Sequence, residues 1–300
     1  MRWLCERNQT AFRRSNRRIK TGTLAAWLQS ARSRLTASDV HVSSLHTLIH
    51  AVTGRPTAWQ IAHSDHTLTP DETSKLDAFL ARLLNGEPLA YIIGKQSFYG
   101  RDFIVNRSVL IPRPETEQLV ELAISTARKF SNPLYIADVG TGSGCIAFSL
   151  AKEVPHARLI ATDISYQALS VASRNASLHH AEDQVRLVQC HLMDAIDTRF
   201  DLICANLPYI PNSTLRQLDA LRFEPNLALD GGADGLRLIA PLLAELQRIR
   251  KPRCFALFEI EQSQGDDFLA LSRSLYPQAS SRIEGDLAGK DRIGIIQFTS

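Results

Sequence analysis

A chain of 300 residues with 44% hydrophobic and 22% charged content has ordinary globular composition, long enough for one large domain and a smaller one. No apolar run approaches the roughly 18 residues of a membrane span, and the five cysteines (Cys5, Cys145, Cys190, Cys204, Cys254) are odd in number, widely spaced and without a C-x-x-C pair, which argues against a disulfide framework or zinc site and fits a reducing compartment. The net charge of +3 is uneven: Arg2, Arg7, Arg13, Arg14, Arg17, Arg18 and Lys20 against Glu6 place +6 in residues 1–20 and leave −3 over 21–300, so the body is no bulk-charge nucleic-acid binder.

The basic head, residues 1–20, is Arg-rich and acid-poor. Targeting peptides, RNA- or ribosome-facing arms and disordered extensions share that composition, and the head has no apolar core long enough for a secretory signal. Residues 21–90 read as a helical domain. Leu24, Trp27, Leu28 and Leu35 are spaced for one helix face, as are Leu45, Leu48, Ile49 and Val52. Thr69-Pro70-Asp71-Glu72 supplies a helix start, and the helix predicted from it runs through Leu76, Phe79, Leu80 and Leu83 to a stop at Asn85-Gly86. His46 and His50 share a face but have no third ligand nearby, so they predict no metal site.

From Tyr91 to Ile111 the pattern turns to strand, with Gly94 and Tyr99-Gly100-Arg101-Asp102 punctuating short aromatic and β-branched runs as in a hairpin. Ile111-Pro112-Arg113-Pro114 is extended, because proline biases the residue before it away from helix. A helix then opens at Glu115-Thr116-Glu117 and continues through Leu119, Val120 and Ile124. Beyond it, apolar runs at 134–139, 158–162, 185–189, 202–205 and 254–260 alternate with helical segments such as 145–153 and 166–178. That alternation predicts an α/β fold with a parallel, doubly wound sheet, closed by 279–284 and 293–298 as an antiparallel pair.

Two motifs in this region carry chemistry. Asp138-Val139 ends a strand and runs into Gly140-Thr141-Gly142-Ser143-Gly144 at a helix start, where glycines permit positive φ and close approach of a ligand to backbone N–H groups. The G-x-G-x-G spacing differs from the G-x-G-x-x-G of dinucleotide sites and suits adenosine with a methionine tail. Asp163, at the end of the next strand, is placed to accept ribose hydroxyl protons; the competing role is an N-cap for 166–178. The second motif, Asn206-Leu207-Pro208-Tyr209, follows another strand. The Asn206 side-chain oxygen and the Leu207 carbonyl can accept the two hydrogens of an NH2 group, Pro208 fixes the turn, and Tyr209 offers a flat face for a planar conjugated group. The competing reading is an Asx-Pro turn leaving a strand. Together the motifs imply transfer of a methyl group from S-adenosylmethionine to nitrogen, in which placement supplies most of the rate. No Ser-His-Asp arrangement or metal cluster suggests itself.

At these residues the chain resembles the HemK/PrmC protein-glutamine methyltransferases, which modify the glutamine of the Gly-Gly-Gln motif in peptide chain release factors. The clamp is shared with adenine and cytosine N-methyltransferases. The narrowing segments are Gly86-Glu87-Pro88-Leu89-Ala90-Tyr91-Ile92-Ile93-Gly94, Phe98-Tyr99-Gly100, Leu110 to Glu117, Arg222-Phe223-Glu224-Pro225, Leu229 to Gly235 and Asp286 to Arg292. The resemblance covers about residues 24–299. It implies a helical docking domain (21–90), a β-hairpin linker (91–111) and a class I, Rossmann-like methyltransferase domain with a mostly parallel seven-stranded sheet (112–300). Cofactor binding carries onto Gly140, Thr141, Gly142, Ser143, Gly144, Asp163, Leu192 and Asn206. Catalysis and amide binding carry onto Asn206, Leu207, Pro208 and Tyr209, with Phe98 as a wall of the amide pocket. A monomeric enzyme of the bacterial cytoplasm is expected, with organellar targeting left open by the head.

Three positions depart from the family pattern. Leu207 replaces the first proline of Asn-Pro-Pro-Tyr, which predicts a less rigid turn with the same carbonyl. His191-Leu192 stands where an acid and an apolar or aromatic residue are usual, and a neutral His191 would still offer an acceptor to the adenine amino group. Glu261 replaces a glycine. Adenine of RNA or DNA stays open as an alternative acceptor, since dimethyladenosine-forming rRNA enzymes have similar Asn-Leu-Pro-Tyr forms, and so does a non-catalytic RNA-associated adaptor that kept the fold.

Overall fold

The structure, a computed structural model, describes residues 22–35, 40–218, 221–286 and 288–299. The basic head lies outside these residues. The chain divides into two compact units, Met1–Glu87 and Pro88–Ser300.

The first unit is helical: α1 (Leu24–Leu35), α2 (Ser43–Thr53), α3 (Thr57–Ala62) and α4 (Pro70–Leu84). Its core is the set of leucines whose spacing predicted it, with Leu24, Leu45, Leu48, Ile49, Leu76 and Leu80 fully buried. The start of α4 follows from chemistry at Thr69. Its hydroxyl accepts from Glu72 N at 3.2 Å while Glu72 Oε2 accepts from Thr69 N at 2.8 Å, a reciprocal capping box with proline at the first helical position. His46 is accounted for by the buried Gln60, whose Oε1 lies 2.8 Å from Nδ1. That oxygen only accepts, so His46 carries its proton on Nδ1.

The second unit opens with α5 (Leu89–Ile93), where a strand is expected from the aromatic and β-branched run at Tyr91. Those side chains are satisfied by burial instead. Tyr91 donates its hydroxyl to Val109 O at 2.6 Å, Ile92 is buried, and Gly94 ends the helix at φ 77°. The hairpin is therefore shorter than 91–111: β1 (Lys95–Phe98) and β2 (Arg101–Ile104), turned by Tyr99 and Gly100 at φ 49° and 70°. It also belongs to the second unit rather than standing between two, because Phe98 and Phe103 are buried in that unit's core. Asn175 locks it there. Its Oδ1 accepts from Ile104 N at 2.7 Å and its Nδ2 donates to Ile104 O at 3.0 Å and to Ser143 O at 2.8 Å, joining the hairpin to the glycine loop.

The rest is α6 (Pro114–Ala127), β3 (Leu134–Val139), α7 (Cys145–Glu153), β4 (Ala157–Asp163), α8 (Tyr166–Leu178), β5 (Val185–Gln189), β6 (Phe200–Ala205), α9 (Asn212–Leu215), α10 (Ile239–Ile249), β7 (Arg250–Glu259), α11 (Gly265–Leu275), β8 (Ser280–Gly285) and β9 (Asp291–Thr299). A seven-stranded sheet forms in the order β5-β4-β3-β6-β7-β9-β8. Pairs from β5 to β7 are parallel, and β9 is antiparallel to both neighbours. Buried apolar side chains cover both faces, as a doubly wound sheet requires. Strand order reverses between β3 and β6, so a crevice opens there at the carboxyl ends of the strands. The registers Val139↔Thr162 and Val139↔Ala205 bring the glycine loop, Asp163 and Asn206 to that one edge.

Candidate active site

The carboxyl ends of β3, β4 and β6 surround an open-mouthed cleft of about 1020 Å³, with Gly140 to Ser143, Asp163, Leu192 and Asn206 to Pro208 in its wall. Arg113 and Thr116 at the start of α6, and Leu227 and Ala228 from the segment before α10, complete it.

The three glycines of the loop do different things. All have positive φ. A Cβ on Gly142 would meet nothing within 4 Å, so its backbone is bare toward open space. A Cβ on Gly140 would stand 2.8 Å from Leu207 Cδ2, and one on Gly144 only 2.0 Å from the Phe148 ring. Gly144 thus faces the core and does not line the cleft. Leu207, the departure from the proline pattern, is buried and lays its side chain over Gly140. The loop and the clamp touch through that contact.

Beneath the loop, Asp138 is wholly buried. Its Oδ2 accepts from Thr141 Oγ1 at 2.6 Å and from Ala147 N at 3.2 Å, while Oδ1 has no partner. Burial pushes its carboxyl up to about 6, against the pull of those two hydrogen bonds. Asp163 stands at the cleft wall. Its Oδ2 accepts from Gly142 N at 2.9 Å and its Oδ1 from Ser165 N at 2.8 Å. Each oxygen keeps a second lone pair for a ligand hydroxyl. Partial burial raises its carboxyl, opposed by the same backbone donors. It is not the cap of α8, which is Ser165, whose hydroxyl accepts from Ala168 N at 3.1 Å.

On the far side, Leu192 is buried at φ 46°, and its carbonyl accepts from Thr162 Oγ1 at 2.8 Å. His191 is exposed at the cleft rim with Nδ1 3.5 Å from Asp194 Oδ2. In the clamp, Asn206 Nδ2 donates to Thr116 Oγ1 at 3.0 Å, so its side chain reaches α6 rather than closing an Asx turn. Pro208 is buried in the wall, whereas Tyr209 is turned inward with its hydroxyl donating to Glu259 Oε1 at 3.0 Å. The Tyr209 carbonyl accepts from Gln264 Nε2 at 2.9 Å. A Cβ on Gly231 or Gly235 would strike the Tyr209 backbone at 2.7 or 2.3 Å, which explains the bare backbone of that segment. Phe98 is not a wall of this cleft. It is 1% exposed and packs edge-on against Phe103 at 6.0 Å between ring centres, because the hairpin folds its apolar face into the core.

Similarity to known proteins agrees with this geometry. Residues 26–94 match the family described as PrmC N-terminal domain, and residues 122–220 the methyltransferase small domain. A release factor glutamine methyltransferase of Geobacter sulfurreducens is 40% identical over 74% of this chain and 80% of its own length. Another, of Nitratidesulfovibrio vulgaris, is 38% identical over 90% of this chain and 93% of its own. The chain belongs to the release factor glutamine methyltransferase family. Among solved structures, the hMettl16 catalytic domain in complex with MAT2A 3′UTR hairpin 6 overlays with a TM-score of 0.55 at 12% identity, over 77% of this chain and 83% of that one, a likeness of fold alone.

Membership in the family does not explain why the site holds its shape; three residues behind the loop and the clamp do. Thr116 and Glu259 grip the clamp from behind, and Asp138 grips the loop from below. Thr116 lies in the 110–117 segment and Glu259 directly before the Ile260-Glu261 pair, yet neither signalled a role. Glu261 itself sits at φ −76°, where no glycine is needed, and its carboxylate caps the following turn by accepting from Ser263 N at 2.8 Å. Among the described residues no group of three or more His, Cys, Asp or Glu could hold a metal, and no helix is long and apolar enough to cross a membrane.

Proposed function

We propose that this protein transfers a methyl group from S-adenosylmethionine to the side-chain amide nitrogen (N5) of the glutamine in the Gly-Gly-Gln motif of peptide chain release factors. The observation that carries the reading is the Asn206 amide, whose NH2 is held by Thr116 at the wall of the cleft shared with the glycine loop and Asp163. With its nitrogen committed, the amide offers Oδ1 to a substrate NH2. The Leu207 carbonyl is the second acceptor. Two acceptors on the amide hydrogens raise electron density on a poor nucleophile as charge develops.

The donor side fits the residues present. Gly142 presents bare backbone, Asp163 keeps lone pairs for a ribose diol, and Leu192 adds apolar wall. S-adenosylmethionine supplies a methyl group already activated on its sulfonium. Gly140, Thr141, Gly142, Ser143, Asp163 and Leu192 would hold it, with Asn206 at the edge the two sites share; Asn206, Leu207 and Pro208 orient the acceptor, with Tyr209 fixing the turn through Glu259. The reading takes the enzyme as a monomer.

The test is tritiated methyl transfer to a release factor, to its Gln→Ala variant in the Gly-Gly-Gln loop, and to RNA and DNA. Label is expected on the first alone. Equal labelling of the two proteins, or label on nucleic acid instead, defeats the proposal. Asn206→Ala should abolish transfer with cofactor affinity, by calorimetry, within about threefold of wild type.

A further inference from the structure

With Phe98 turned into the core, the acceptor side of the cleft needs another apolar wall. A segment between the clamp and α10 stands in that place. Residues 221–229 run back toward the clamp as a strap, and Pro225, Leu227 and Ala228 on it line the cleft. The strap ends against the residue directly after Tyr209: Ile210 N donates to Leu229 O at 3.1 Å, and Gly231 N donates to Ile210 O at 2.9 Å.

Its other end is tied to the approach to α6. Phe223 packs against the buried cluster that holds Tyr91, Val105 and Ile111, with the Arg107 guanidinium 5.0 Å from its ring centre. Glu224 beside it is buried. Its Oε2 accepts from Ile111 N at 3.2 Å, and its Oε1 is ion-paired with Arg113 Nη2. A charged acceptor held by a backbone donor and a guanidinium has little freedom to move. Arg113 directly precedes α6, and Thr116 of that helix holds Asn206. Both ends of the strap are therefore fixed to the elements that present the clamp.

Leu227 lies between the two anchorages. It is 50% exposed although it lines the cleft, so half of its surface is still open for a ligand to cover. Two glycines have no side chains, so the apolar group that a Gly-Gly-Gln loop brings to a wall is the aliphatic stem of its glutamine.

We propose that Leu227 is a specificity-determining residue that packs on this stem, and that Glu224 is the positioning residue that holds Leu227 there. Glu224 touches neither substrate nor cofactor; it acts through the strap. The inference rests on the methyl-transfer reading above.

Leu227→Ala tests it. Covering the open half of a leucine corresponds to a rise in KM for the release factor of about 5- to 10-fold. Expected beside it are kcat within about twofold of wild type, unchanged affinity for S-adenosylmethionine by calorimetry, and an unchanged Tm, since the side chain is half-exposed. Leu227→Met, which keeps an apolar contact of similar volume, should restore KM. Glu224→Gln keeps the shape but removes the charge that Arg113 pairs with, and should raise the same KM with a smaller effect on kcat. The Glu224→Gln/Leu227→Ala double variant should lose less than the product of the single losses. Wild-type KM in Leu227→Ala overturns the inference, and so does an equal loss of cofactor affinity, which would place the strap on the donor side. Independent losses in the double variant overturn the role of Glu224. Wild type is run alongside: if it fails to label the release factor, the functional reading has failed, which is a different result from wild type and Leu227→Ala labelling it with one KM.

Discussion

Alanine at each glycine of the loop separates backbone strain from lost space, because the three share one sign of φ and differ in what lies beyond Cβ. At Gly142, φ is 56° and the space is open. Alanine there bears the cost of left-handed backbone, about 1–2 kcal/mol, partly offset by about 0.4–1 kcal/mol of reduced freedom in the unfolded chain. At Gly144 a Cβ would stand 2.0 Å from the ring of Phe148, itself fully buried and unable to retreat. Overpacking of about 1–3 kcal/mol adds to the strain, for a total of about 2–5 kcal/mol before the same offset. Gly140 is intermediate in stability but not in activity. Its clash, 2.8 Å, is with the end of Leu207, a side chain that can shift. The shift is transmitted to Leu207, whose carbonyl is proposed to serve the acceptor.

Urea unfolding should therefore rank the losses Gly142→Ala, Gly140→Ala, Gly144→Ala from smallest to largest, with Tm falling roughly 2–4 °C per kcal/mol. Methyl-transfer kinetics should show Gly140→Ala with the largest fall in kcat relative to its stability loss. Equal losses at all three positions would refute the steric part of this reasoning. Unchanged kcat in folded Gly140→Ala would refute the coupling of loop to clamp through Leu207.

Asp163→Ala removes the acceptor for Gly142 N–H as well as the group offered to the ribose; calorimetry should show cofactor affinity down about 10- to 100-fold, and a change under twofold would contradict the assignment. Asp138 makes stability depend on pH. Its folded value of about 6 exceeds the ordinary 3.8, so the folded state holds the proton more tightly, and this contribution is full below pH 3.8 and lost as pH rises through 6. The swing is about 3 kcal/mol; Asp138→Asn should abolish it, read as a wild-type-minus-variant unfolding difference that varies between about pH 4 and 6.5, and a pH-independent difference would contradict it. Phe98→Ala should cost about 3–5 kcal/mol of stability while leaving substrate KM unchanged below its Tm. A raised KM with normal stability would return Phe98 to the amide pocket.

What the sequence determined by itself is what depends on neighbours along the chain. Period fixed the helices of the first unit, since Leu24, Leu48 and Leu76 must face inward wherever their helices pack. Thr69 with Glu72 fixed the start of α4 within one turn. Apolar runs bounded by glycine and polar turns gave the strands Leu134–Val139 and Val185–Gln189. The loop at 140–144, Asp163 and Asn206 were visible for the same reason, each sitting at the end of its own strand.

The tertiary structure decided what depends on partners far along the chain. Tyr91–Ile93 read as strand by composition but are helical, because burial beside Val109 satisfies the same side chains that a sheet would. Phe98 looked like a pocket wall until the hairpin turned it against Phe103. Leu207 read as a missing proline, and only the pairing of β3 with β6 reveals it as the side chain lying on Gly140. Asn206 meets Thr116 at a separation of 90 residues and Tyr209 meets Glu259 at 50. No local pattern records such pairings, since a strand fixes the direction of its own side chains while the sheet order alone selects what they meet.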